Sequence, residues 1–208
     1  MNTGLVVFAR APVPGKVKTR LVPALGAAGA ARVYEVLLAH ALAVAAAAPV
    51  AARFLYAADR EDCEYFRAHR AAHGFTVVQQ RQEPDLGLRM RDACAAVLCE
   101  HASVLLMGTD IVDVTPSDLA LATSWLAADA EVVLGPTADG GYWLIGLRAV
   151  DSALFDGLAW STGAVYAQTV ARLARANLRW RALPPRHDID TAPDLQAHAS
   201  ALAKLGLR

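Results

Sequence analysis

A chain of 208 residues is long enough for one large domain or two small ones, and a 55% hydrophobic, 19% charged composition supplies a substantial core rather than a disordered polymer. Twenty basic and twenty acidic side chains cancel, which argues against a general nucleic-acid or membrane-surface binder, since such proteins carry a basic excess. Three cysteines (Cys63, Cys94, Cys99) without metal-ligand spacing suit reduced thiols, so a cytoplasmic setting is expected, with Cys94 and Cys99 packing as small apolar groups.

Leu5 to Ala9 reads as a buried strand. The stretch after it, FARAPVPGKVKTRLVP (Phe8 to Pro23), crowds prolines, a glycine, two lysines and two arginines together, and Arg10, Lys16 and Lys18 interrupt any secretory-signal pattern. Ala27 to Ala48 reads as a long helix with apolar positions at Val33, Val36, Leu37, Ala41 and Val44. No apolar run reaches the eighteen or so residues of a bilayer span, and the alanine-rich Ala39 to Ala52 suits a packed helix. Next come a strand at Phe54–Tyr56, a polar helix from Glu61 to Ala72, a strand at Phe75–Val78, a helix from Leu88 to Leu98 and a strand at Ser103–Met107. Thr115-Pro116-Ser117-Asp118 has the chemistry of a helix start: an N-cap, a first-turn proline and an acid three residues on. That helix runs towards Ala128. Strands follow at Glu131–Gly135 and Tyr142–Leu147, then a helix from Val165 to Ala176, a strand from Leu178 to Leu183 and a helix from Pro193 to Leu202. Strands that are continuous apolar runs, alternating with helices, predict one α/β domain over residues 1–208, a mostly parallel sheet covered on both faces.

Ligands of such sheets bind beyond the carboxyl ends of the strands, and three polar motifs fall there. In the first loop, Gly15 lets backbone approach a ligand, Pro12 and Pro14 stiffen the chain, and Lys16, Lys18 and Arg20 alternate so that an extended segment would aim them to one side. Converging cations suit a di- or triphosphate; a solvated charged loop is the plainer alternative. Asp110, three residues past the Ser103–Met107 strand, is left free if Thr115 caps the next helix, while Asp113 suits support of the turn. In HDIDTAPDL (His187 to Leu195), Asp188 and Asp190 lie two apart, and Thr191 with Asp194 can cap the last helix, so the whole cluster can also be read as helix-start chemistry. A magnesium or manganese ion wants one or two carboxylates plus phosphate oxygens and water, and Asp110 with Asp190 would supply the protein share.

Six segments in order, FARAPVPGKVKTRLVP, EPDLGLRM, LLMGTDIVDV, GPTADGGYWLIGL, WST and HDIDTAPDL, resemble a bacterial family of uncharacterised glycosyltransferase-like proteins. That family has the three-layer, Rossmann-like glycosyltransferase A fold and is related to nucleotide-diphospho-sugar transferases and to small nucleotidyltransferases such as the molybdopterin and phospholactate guanylyltransferases. The resemblance implies that Ala11 to Arg20, with Gly15, Lys16 and Lys18, cradles nucleotide phosphates, and that Asp85, Gly87 and Arg89 lie near the base. It implies Asp110 as a metal ligand with Asp190 as the second, beside Asp188, and Asp139, Gly140 and Gly141 as the border of an acceptor pocket. Trp160 is a candidate wall of that pocket and Trp143 a core residue; Asp139 is the candidate general base, and Lys18 and Asp110 the other candidate catalytic groups.

The family often has proline where Val112 stands, which predicts a looser hold on Asp110. Its final motif usually reads Thr-Pro-Glu-Asp, whereas Thr191-Ala192-Pro193-Asp194 keeps length and capping. The function expected is a metal-dependent transferase carrying a glycosyl group from a nucleoside diphosphate sugar to a small acceptor. The alternatives are a nucleotidyltransferase that joins a nucleoside triphosphate to a small phosphorylated acceptor and releases pyrophosphate, and a nucleotide-binding module without turnover. Neither nucleic acid nor membrane is an expected partner.

Overall fold

The computed structural model describes residues 2–69, 74–160 and 162–207. Strands β1 (Thr3–Ala9), β2 (Ala52–Ala57), β3 (Thr76–Gln79) and β4 (Ser103–Met107) pair in parallel. β5 (Val132–Pro136) and β6 (Tyr142–Leu147) form a hairpin whose second strand lies antiparallel between β4 and β5, and β7 (Trp180–Ala182) adds in parallel to the far edge of β5. The sheet order is β3-β2-β1-β4-β6-β5-β7. The mostly parallel α/β architecture expected from the apolar runs is therefore the one adopted. The antiparallel β6 was not distinguishable by pattern, because five of its six residues are buried, as all are in β4, which pairs in parallel with β1.

Alternation along the strands divides the core in two. Leu5, Val7 and Ala9 of β1 with Leu105 and Met107 of β4 face α1 (Val22–Ala46), α2 (Arg60–His69) and α4 (Pro116–Ala128). Val6, Val104 and Leu106 face α3 (Leu86–Leu98) and α5 (Val165–Arg175). The predicted elements recur with shifted ends. α3 begins at Leu86 because Asp85 caps it, its Oδ1 accepting from the Leu88 N–H (3.0 Å). α1 starts before Ala27 across a break at Gly26 (φ 71°, ψ 168°). The predicted last helix is two short ones, α6 (Ala192–Ala197) and α7 (Ala199–Lys204), separated at His198 (φ −112°, ψ 19°). The expected continuation of α2 to Ala72 falls on residues 70–73, outside the described ones.

Thr19–Ala46, taken as one span, passes by length and composition for a membrane-crossing helix, contrary to the expectation that no segment would. A helix buried against a sheet has the same composition, and ten residues of α1 are buried. One side of it builds a third apolar cluster: Leu21, Ala30, Val33 and Leu37 pack on Val112, Ile189 and Leu202. That cluster fastens the C-terminal segment beneath the carboxyl ends of β1 and β4.

Candidate active site

Three stretches far apart in sequence meet at that edge of the sheet. The segment after β4 and the segment before α6 pair as a short antiparallel bridge at Ile111 and Asp188. Val112 donates its N–H to the His187 carbonyl (3.0 Å) and Ile189 donates to the Asp110 carbonyl (3.1 Å). Asp110 and Asp190 are thereby held at neighbouring positions. Val112 tightens this arrangement instead of loosening it, because its N–H, which proline lacks, makes one of the two bonds and its side chain is buried.

The third stretch is the loop after β1, and it is not extended. Lys18 sits in left-handed backbone (φ 46°, ψ 44°) and opens a turn of 3-10 helix at Thr19–Leu21. The expected one-sided alternation of Lys16, Lys18 and Arg20 therefore does not arise from strand geometry. Lys18 turns inward: its side chain is only 4% exposed, with the ammonium 2.8 Å from Asp190 Oδ1 and 3.1 Å from Asp110 Oδ2. Burial works against the charge on Lys18, but the Asp110 and Asp190 carboxylates outweigh it and hold its pKa above the ordinary value. Arg20 reaches the other oxygen of Asp190 at 3.4 Å, while Lys16 pairs with Glu61 at the surface.

These groups line a cavity of about 420 Å³ into which Arg10, Lys16, Lys18, Arg20 and Arg89 bring five cations against the two carboxylates Asp110 and Asp190. The excess is positive and suits an anion. Tyr34 of α1 ties the exits of β1 and β4 together: its hydroxyl accepts from the Arg10 N–H (3.0 Å) and bonds Thr109 Oγ1 (3.1 Å). Burial, then the Asp110 carboxylate, pushes the Tyr34 pKa up to about 12, so it remains a phenol. Arg89 donates to Gln80 Oε1 (3.0 Å) and its buried Nε has no protein partner among the described residues. Arg10, Tyr34, Gln80 and Thr109 were not anticipated. Arg10 stood in the charged stretch itself, but Tyr34 lay on what reads as an apolar helix face.

Several anticipated residues lie elsewhere. Asp85 caps α3, and Gly87 faces away from this cavity; Leu86 and Arg89, three apart on one helix face, line it instead. A side chain at Gly87 would collide with the Trp160 indole (2.5 Å) and the Phe155 carbonyl (2.6 Å), so Gly87 is a packing glycine. Ala11 is buried, its N–H bound to Asp62 Oδ1 (2.9 Å), and Gly15 is an exposed turn residue. Asp113 supports the turn as expected, accepting from the backbone and ring of His187.

Asp188 does not join Asp110 and Asp190 on Lys18. It opens into an adjoining cavity of about 300 Å³ with Asp139, Gly141, Tyr142, Trp143 and Trp160. Trp143 is buried as expected, and Trp160 is a wall of this cavity as well as packing edge-on to Tyr142. Asp139 Oδ1 accepts from the Thr137 hydroxyl (2.6 Å) and the Gly141 N–H (3.0 Å), the self-closing turn that an Asp-Gly-Gly sequence favours. Burial, followed by the Asp139 charge, raises the Asp188 pKa to about 6. A carboxyl raised in the fold stabilises it fully below its unfolded value and loses that contribution as pH climbs through about 6. Asp188→Asn is therefore expected to melt higher than the parent at pH 7.5 in chelator and to match it near pH 4; equal melting temperatures at pH 7.5 would remove the assignment.

The residues that could hold a divalent cation are the pair Asp110 and Asp190, hard oxygen donors with side chains 46% and 35% exposed. Among the described residues no group of three or more His, Cys, Asp or Glu side chains is assembled for a metal, so an ion held by this pair would have to take its other ligands from outside the protein.

Residues 41–162, more than half of the chain, match the model of the family described as "Uncharacterized protein conserved in bacteria (DUF2064)", and the chain belongs to that family. No curated protein matches it. Among solved structures, it is similar over 100% of both chains to a proposed nucleotide-diphospho-sugar transferase from Desulfovibrio desulfuricans G20 (28% identity, TM-score 0.82). It shares its fold with CMP:2-keto-3-deoxy-manno-octonic acid synthetase complexed with CTP, at 12% identity and TM-score 0.63 over 98% of this chain and 99% of that one. It also shares it with a Mycobacterium tuberculosis H37Rv protein in complex with manganese, at 23% identity and TM-score 0.53 over 94% and 96%.

Proposed function

We propose that this family member is a metal-dependent transferase that seats the diphosphate of a nucleoside diphosphate sugar in the cationic cavity and passes the glycosyl group to a small acceptor in the adjoining one. The observation that carries the reading is the meeting of five cations with a carboxylate pair at the carboxyl ends of β1 and β4. The named activity of the Desulfovibrio relative and the CTP bound by the synthetase fold support a nucleotide as the occupant.

Asp110 and Asp190 would hold magnesium or manganese, which when bound supplies Lewis-acid neutralisation of the diphosphate. Lys18, already oriented by both carboxylates, has one N–H left for a phosphate oxygen, and Arg10, Arg20 and Arg89 surround it. The two cavities share Phe8, Leu86, Gly108 and Asp110, so donor and acceptor would meet across that common wall. In the transfer an acceptor heteroatom bonds to the anomeric carbon as the bond from that carbon to the diphosphate oxygen breaks. The electron pair leaves with the nucleoside diphosphate, and the acceptor proton passes to Asp139, a carboxylate of the second cavity that is not committed to the ion. Catalysis by positioning and charge neutralisation needs no covalent nucleophile.

Incubation with a panel of nucleoside diphosphate sugars and magnesium is expected to release nucleoside diphosphate. Consumption of a nucleoside triphosphate with release of pyrophosphate would replace this reading with nucleotidyl transfer. Metal-dependent binding without any product would leave a binding module.

A further inference from the structure

We propose that the acceptor is a small molecule with an apolar body and a neutral or cationic polar end, a hydroxyl or an amine, and that phosphorylated and carboxylated acceptors are excluded. The inference rests on the transferase reading above and narrows its second substrate.

The two cavities share a wall and have opposite electrostatic character. The first carries five cations; the second is lined by three carboxylates, Asp110, Asp139 and Asp188, and, among the described residues, by no lysine, arginine or histidine. Its volume of about 300 Å³ lies at the small end of ligand sites, and most of its remaining wall is apolar, with Met90, Leu106 and Trp143 buried. The missing side chain at Gly87 admits the Trp160 indole, and Tyr142 meets that indole edge-on with ring centroids 6.2 Å apart. An apolar or aromatic body is what such walls accept.

The polar end is set by what the carboxylates lack. Asp139 Oδ1 is occupied by Thr137 and Gly141, which fixes the carboxylate and leaves Oδ2 without a protein donor among the described residues. The Asp188 side chain is half-buried and, among the described residues, is met by no donor beyond its own backbone N–H. Acceptor-only groups in a partly desolvated site call for donors from the ligand, and an ammonium or hydroxyl supplies them. A phosphate or carboxylate would add like charge against Asp139 and Asp188, since Asp110 is already paired with Lys18 behind the shared wall and no cation lines this cavity among the described residues.

The test uses the full chain, with backbone amides read by NMR. Gly141 and Val165 report the second cavity, and Thr109 and Arg89 the first. 2-Phenylethylamine and 2-phenylethanol are expected to shift Gly141 and Val165, the amine binding at least tenfold tighter than phenylacetate or phenyl phosphate at those amides. The double variant Asp139→Asn, Asp188→Asn is expected to erase that tenfold preference; asparagine keeps the acceptor oxygen of the turn, and unchanged shifts at Thr109 show that the fold persists. The inference is overturned if either anion shifts Gly141 and Val165 as strongly as the amine, if the preference survives in the double variant, or if no probe moves those amides. Pyrophosphate with magnesium, followed at Thr109 and Arg89, judges the nucleotide reading separately: silence there rejects that reading whatever the amine does.

Discussion

Lys18→Met is expected to weaken nucleotide binding by roughly ten- to a hundredfold and, in the absence of nucleotide, to strengthen manganese binding. The first effect is the loss of one charge-assisted hydrogen bond to phosphate, about 1.5–3 kcal/mol. The second comes from the carboxylates. Lys18 shares its charge between Asp110 and Asp190, at 3.1 and 2.8 Å, and so repels any cation approaching the same oxygens. A thioether of similar length removes that repulsion and leaves two carboxylates facing each other across the gap. Removing one member of a buried ion pair costs about 3–5 kcal/mol, but these carboxylates are 46% and 35% exposed and water screens them, so a loss of about 1–2 kcal/mol is the expected scale. In a chain of this size that is a melting-temperature fall of roughly 2–8 °C, and manganese should restore it by binding the native state. Melting curves with and without manganese, followed by nucleotide titration, measure all three effects. A variant that binds manganese more weakly than the parent would contradict the role given to Lys18.

The parts of this site that were legible in sequence are those whose chemistry is carried by residue type alone. Asp110 and Asp190 could be paired from the sequence because the helix-start residues Thr115–Asp118 and Thr191–Asp194 form complete capping boxes and need no other carboxylate. Lys18 was legible as a cation of the loop but not as a buried bridge, because a left-handed backbone is not a local preference of lysine. Asp85 shows the opposite failure. Its place in a shared motif suggested a ligand contact, while its own geometry makes it the N-cap of α3, and it is Leu86 and Arg89 of that helix that line the cavity. The opposed charge of the two cavities was beyond sequence reading altogether. Asp139 and Asp188 are 49 positions apart and become neighbours because β5 and β6 form a hairpin whose turn lies beside the segment paired to Ile111.

Gly140→Ala should be among the most damaging single-methyl changes at the site and should separate the two cavities functionally. Gly140 has φ 89°, in the region that costs an L-residue about 1–2 kcal/mol. Gly15, with φ 79°, carries the same backbone penalty, but a Cβ there would meet nothing within 4 Å, so Gly15→Ala is the strain-only control. At Gly140 a Cβ would run into the Gly163 carbonyl oxygen and lie 2.8 Å from its carbon, and backbone cannot rotate aside as a side chain can. The obstructed segment is also tied to Gly140 by the Tyr166 N–H, which donates to its carbonyl at 2.9 Å. Forcing these two segments of backbone apart adds to the strain, for a total of about 3–4 kcal/mol and a melting-temperature fall of roughly 6–16 °C. The displaced residues carry Thr162, Val165 and the Asp139 turn, all walls of the second cavity, whereas no residue of the Gly140–Gly163 contact lines the first. Acceptor probes should therefore lose their shifts at Val165 while pyrophosphate keeps its shifts at Thr109. Melting of Gly140→Ala within a degree of Gly15→Ala would show that the two backbones part easily, and the wall of the second cavity would then be softer than the contact distances require.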